Sequence, residues 1–168
     1  MTISMYQASA PVLLLQLNAL SAMLDKAEAF AAAQGIDPAT LIEARIAPDM
    51  FAFARQVQIA SDMAKGGIAR LAGREAPSYA DDETSFAELK ARIARTIAFI
   101  GSVEAEAIDG SETRPIVLKL RNRELALVGQ PYLLHFVLPN FFFHVTTAYA
   151  ILRAQGVPLA KADFLGGM

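Results

Sequence analysis

The residue pattern predicts an all-α fold, a four-helix bundle with a short β-hairpin set before the last helix. Three observations carry this. The chain of 168 residues is 54% hydrophobic and holds 32 alanines, the strongest helix former. Four long segments repeat apolar residues at alternating steps of three and four. One short stretch between the third and fourth instead alternates every second residue. The length suits one domain, residues 1–168.

The first helix is expected over about 3–33. Its seam is Leu13, Leu17, Leu20, Leu24, Ala27 and Ala31. Pro11 lies inside it and predicts a kink or irregular first turn, and Gly35 stops it. Asp37-Pro38 starts a single turn. The second helix opens at Ala47-Pro48-Asp49 and lasts to about Ala72, with a seam of Met50, Phe53, Val57, Ala60, Ala64, Ile68 and Leu71. Gly66-Gly67 weakens it by roughly 1 kcal/mol per glycine and permits close helix approach. Residues 74–84 read as a loop, with Asp81, Asp82 and Glu83 as a solvated acidic cluster. Ser85-Phe86-Ala87-Glu88 is a capping box that starts the third helix. Phe86, Leu89, Ile93, Ile97, Ile100 and Val103 form its apolar face, and Lys90, Arg92 and Arg95 lie on the other. Ile116, Leu118 and Leu120, then Leu125 and Leu127, alternate about a turn at Arg121-Asn122-Arg123 and predict the hairpin. The last helix should cover about 130–155, broken or kinked at Pro139 and ended by Gly156 and Pro158. The tail 161–167 is expected to lack structure of its own.

Composition excludes several functions. Net charge is −2, so nucleic acid finds no electrostatic handle. The chain has no cysteine, hence no disulfide, thiolate nucleophile or Fe–S ligand. Residues 1–24 and 125–152 carry no Asp, Glu, Lys or Arg. Both are too rich in Gln, Asn, Ser, Thr, His and Pro for a comfortable lipid-facing helix. A protein without membrane contact is expected, in the cytoplasm, since no basic n-region of a signal peptide precedes the first stretch. Phosphate loops and a serine triad have no local signature.

The candidate chemistry gathers on the last helix. Asn140 and His144 are one turn apart on one face. With Asp62 or Gln58 from the second helix they could hold a divalent metal, zinc or nickel, although Asn is a poor ligand for either. The plainer reading has His144 and Asn140 bonding each other, or a backbone group freed by Pro139. Tyr132, His135, Phe136 and Gln56 are candidates to line a small-molecule pocket. Three successive phenylalanines, Phe141 to Phe143, point in three directions around a helix, which favours a partner surface and a homodimer.

Several strings are distinctive: Ala47-Pro48-Asp49-Met50, Arg55-Gln56-Val57-Gln58, Ser61-Asp62-Met63-Ala64-Lys65, Leu138-Pro139-Asn140-Phe141-Phe142-Phe143-His144, and Lys161-Ala162-Asp163-Phe164-Leu165-Gly166. On these the chain resembles the bacterial family called domain of unknown function nineteen ninety-three, over nearly its whole length. That family is grouped with the DinB/YfiT-like helical bundles. The resemblance implies an up-down-down-up four-helix bundle, often a homodimer. In many relatives it also implies a three-histidine metal site, in some with thiol-dependent transferase or isomerase activity. Here His144, Arg153 and Gly156 match the end of the superfamily motif, but Asn140 stands where its first histidine would be. The second helix offers Gln56, Gln58 and Asp62 but no histidine. The usual three-histidine site cannot form. Two functions follow as expectations: an uncharacterised dimeric protein with a degenerate small-molecule or metal pocket near His144, with no metal favoured, or a divalent-metal-dependent enzyme.

Overall fold

A computed structural model describes residues 2–120 and 123–167. The chain is mostly helical, with one two-stranded antiparallel hairpin ahead of the last long helix. Helix α1 spans Ala10–Gln34 and starts later than expected. Pro11 has no N–H to give and clashes with the preceding turn, so residues 5–9 form an irregular turn instead. Ser9 Oγ donates to Met5 O at 2.7 Å within that turn. All six seam residues of α1 are fully buried, each leucine worth about 1.5–3 kcal/mol. At the far end Gly35 takes φ 65°, a left-handed cap.

Helix α2 (Pro38–Ile42) is the single turn at Asp37, whose carboxylate accepts from Ala39 N at 3.0 Å. Helix α3 (Phe53–Leu71) begins four residues after Asp49, because residues 47–50 are held as a turn by Met50 N donating to Ala47 O. Helix α4 (Phe86–Gly101) carries the full capping box: Ser85 Oγ accepts from Glu88 N, and Glu88 Oε2 accepts from Ser85 N. A further short helix, α5 (Ala105–Ile108), leads to the hairpin.

Strands β1 (Pro115–Leu120) and β2 (Arg123–Val128) pair with Ile116 opposite Leu127 and Leu118 opposite Leu125. Ile116 and Leu118 are buried and Val117 is exposed, so one face of the hairpin packs on the helices. The expected turn at Arg121-Asn122 lies outside the described residues.

The last helical region is continuous but not uniform. Helix α6 (Gly129–Tyr132) runs into a π turn at Leu133–Val137 and then into α7 (Leu138–Ala154). Pro139 therefore does not break the helix. The wider turn just before it accommodates the missing N–H. Two glycines make the packing possible. A Cβ on Gly129 would lie 1.9 Å from Ser111 O, and one on Gly67 would lie 2.7 Å from Val137 Cγ1.

The tail is not unstructured. Helix α8 (Lys161–Phe164) docks on α1: Lys26 pairs with Asp163 at 2.6 Å, and Gln16 Nε2 donates to Phe164 O.

The four long helices share one core. α3 packs against both α4 and α7, and α1 packs mainly on α4 and to a lesser degree on α7. Arg92 departs most from the sequence reading. It lies on the buried side of α4 and is fully enclosed. Its guanidinium meets Glu83 at 3.0 Å, Asp62 at 2.7 Å and Asp81 at 3.1 Å, and also donates to Ala80 O. Glu83 is thus buried and ion-paired rather than solvated, whereas Asp81 is paired but exposed and Asp82 is exposed. Lys65 is also buried, paired with Asp62 at 2.9 Å. Among the described residues no helix is long and apolar enough to cross a membrane.

Candidate functional site

The helix period decides which candidates meet. α3 lies between two partners, so it carries polar groups on two opposite sides. Gln56 and Gln58 are about 200° apart around the axis. Gln56 reaches α7, whereas Gln58 and Asp62, one turn apart, reach the α4 side. Gln58 Nε2 donates to Glu83 Oε2 at 3.0 Å, and its Oε1 accepts from Arg55. Asp62 is taken by Arg92 and Lys65. The hydrogen bonds therefore engage Gln58 and Asp62 away from His144, and Gln56 is the residue that meets it.

His144 and Gln56 form a defined pair. His144 is 9% exposed and Gln56 2%. Gln56 Nε2 donates to Phe51 O at 3.0 Å, which fixes the orientation of the amide. Its Oε1 therefore faces His144 Nδ1, at 2.7 Å. A carbonyl oxygen only accepts, so Nδ1 carries the proton and Nε2 holds the lone pair. No group among the described residues bonds Nε2. Burial disfavours the imidazolium and pushes the His144 pKa below 6.5, and the Arg55 guanidinium adds to this. The ring is thus a neutral acceptor with a set tautomer. Phe143 packs edge-on against it, 5.2 Å between centroids.

These residues line an open groove of about 220 Å³ with Asp49, Met50, Phe51 and Phe143. Phe51 and Phe143 are each 58% exposed and form apolar walls. Arg55 lies over the Phe51 ring, 6.0 Å from its centroid. Asp49, Met50 and Phe51 were not legible as site residues, since a helix-entry segment reads as packing, and Phe143 read as part of a partner surface. The one available signal was Gln56 itself, a polar residue close to an apolar seam.

The other candidates separate. Asn140 does not bond His144; its Nδ2 donates to Phe136 O at 2.6 Å, the backbone group in the π turn. Tyr132 is buried and stacks on Phe136 at 5.9 Å, with Arg70 donating to its hydroxyl. Burial raises its pKa, partly offset by Arg70, so the phenol stays protonated. Phe136 borders a different cleft, with Met63, Arg70, Leu118 and Lys119. His135 is exposed. Neither Tyr132, His135 nor Phe136 lines the His144 groove.

A three-histidine metal centre needs three donors converging on one point. Here the Asn140 amide is turned to the Phe136 carbonyl through its Nδ2, and Asp62 is held by two cations. Among the described residues no three His, Asp or Glu side chains gather where they could hold a metal. The donor set at His144 does not fit such a centre.

The sequence model of a family described as "Domain of unknown function (DUF1993)" matches residues 5–165. The fold is similar to the crystal structure of a DinB family member protein from Shewanella denitrificans, with a TM-score of 0.89 and 38% identity. That match covers 97% of this chain and 92% of the other. No curated protein matches.

Proposed function

The chain belongs to the DUF1993 family, and from that premise we propose that it is a DinB-like small-molecule-binding protein whose site is the His144 groove. It works without a three-histidine metal centre. The observation that carries this reading is the Gln56 clamp: an amide anchored on Phe51 O holds the imidazole in one tautomer. Holding a buried ring in one tautomer sets up a directional acceptor. Packing alone would be met as well by an apolar side chain.

The proposal includes an up-down-down-up arrangement of α1, α3, α4 and α7. Two adjacent parallel helices need a connection as long as a helix. The segment 72–85 between α3 and α4 is long enough, since 14 extended residues reach about 45 Å and α3 is about 28 Å long. It also includes a homodimer in the cytoplasm.

Elemental analysis tests the metal part. Tag-free protein is equilibrated with zinc, nickel, manganese or iron(II), and excess is removed. Retention well below one metal per chain is expected. About one per chain, lost in His144→Ala, would support the other reading, a divalent-metal-dependent enzyme of the thiol-transferase or isomerase kind. A fragment screen by NMR tests the groove: hits should shift the His144 ring and the Gln56 side-chain amide together.

A further inference from the structure

The side-chain hydrogen-bonding groups of the groove are one-sided. Gln56 gives one amide N–H to Phe51 O and turns its oxygen to His144, and at 2% exposure it offers a ligand little of its second N–H. What remains among the lining side chains is the Nε2 lone pair of His144 and the Asp49 carboxylate, both acceptors. Neither lysine nor arginine lines it, nor any hydroxyl. The rest is Met50, Phe51 and Phe143. A volume of about 220 Å³ lies below the roughly 300–1,000 Å³ usual for drug-sized ligands. The occupant is therefore small, mostly apolar, and a donor.

Charge narrows the class further. Asp49 is exposed and set among solvent, so its pull on a cation is screened. Arg55 stands over the ring of Phe51, a wall of the groove. A cation in the groove would be repelled by that nearby guanidinium. Resting on the proposed small-molecule site, we infer that its ligand is an uncharged, flat apolar molecule bearing a hydroxyl or neutral N–H, which donates to His144 Nε2 while its body lies between Phe51 and Phe143. The acceptor is set before the ligand arrives, because the proton sits on Nδ1, held by Gln56.

The probes are 2-naphthol, 2-methoxynaphthalene and 1-naphthylmethylammonium, each titrated into the intact chain at neutral pH. Binding is followed by calorimetry and by the His144 and Gln56 NMR signals. The hydroxyl compound is expected to bind about tenfold tighter than its methyl ether, the worth of one hydrogen bond to a set acceptor. It should also move the His144 signals. Equal affinity of the naphthol and the ether, with those signals moved, overturns the donor requirement and leaves the groove standing as an apolar site. Tighter binding of the ammonium overturns it in favour of a cation site at Asp49. Failure of all three to move the His144 and Gln56 signals overturns both this inference and the small-molecule reading. In His144→Phe, which keeps a ring and removes the acceptor, the naphthol's advantage should vanish. The wild-type comparison of the two neutral probes decides the matter even if that variant does not fold.

Discussion

Replacing Gln56 by leucine removes the clamp without opening a large hole, since the two side chains have similar volume. The loss can be worked from the two bonds. His144 Nδ1–H would be left buried with no acceptor, because the ring is 9% exposed. An unsatisfied buried donor costs about 1–3 kcal/mol. The Phe51 carbonyl also loses its donor, but that residue is 58% exposed. Water can replace the amide there, so the second loss is under about 1 kcal/mol. Together the variant should be less stable by about 2 kcal/mol. At an m-value of about 2 kcal/mol/M that moves the urea midpoint down by about 1 M. The assay is urea unfolding followed by circular dichroism at one fixed protein concentration. A second measurement reads the cause directly: ¹⁵N shifts of the imidazole should show Nδ1–H in the wild type. A midpoint within experimental error of wild type would refute the reasoning. So would a wild-type ring protonated on Nε2, because the clamp argument rests on the tautomer.

Other variants probe the frame around the site. Arg92→Met strands Glu83, whose side chain is 4% exposed, and should cost about 3–5 kcal/mol. That is a fall in Tm of about 6–20 °C, whereas Lys90→Met, which removes exposed pairs to Asp25 and Glu28, should change little. Gly129→Ala forces a Cβ onto Ser111 O and should cost at least the roughly 1–3 kcal/mol of overpacking. In the same thermal scan Gly101→Ala, with nothing within 4 Å of the new carbon, should be neutral or gain up to about 1 kcal/mol. pH gives a separate test. His144 is pushed below 6.5 by burial and then by Arg55, so the unfolded chain takes a proton there before the folded one does. The folded state keeps its full His144 contribution above about pH 6.5 and loses it as pH falls below that value, levelling once the folded ring protonates. Unfolding free energy measured across that window in wild type and in His144→Phe should diverge, with the variant's profile flatter.

How much of this was legible in the chain differs by element. The seam Leu13, Leu17, Leu20, Leu24, Ala27 and Ala31 is buried along its whole length. The box at Ser85 and Glu88 forms with both its bonds. The alternation of Ile116 and Leu118 against Leu125 and Leu127 pairs in register. These features depend on neighbours within a few residues, or on a period, and both are written in the order of the amino acids. The resemblance likewise rested on contiguous strings, and the family follows from them.

The site was legible only in part. His144 and Gln56 were both among the candidates, but nothing along the chain says that they meet across 88 positions. Nor does it say that Asn140 turns to Phe136 O, or that Asp62 is claimed by Arg92. Charge misled in the same way: Arg92 sits between Lys90 and Arg95, reads as one of a solvated trio, and is the most enclosed cation of the three. The physical reason is common to these cases. A polar group's environment depends on which element packs over it, and α3 is covered on one side by α4 and on the other by α7. A period identifies the face on which a side chain lies. Only the packed helices decide whether that face meets a carboxylate, a carbonyl, an imidazole or water.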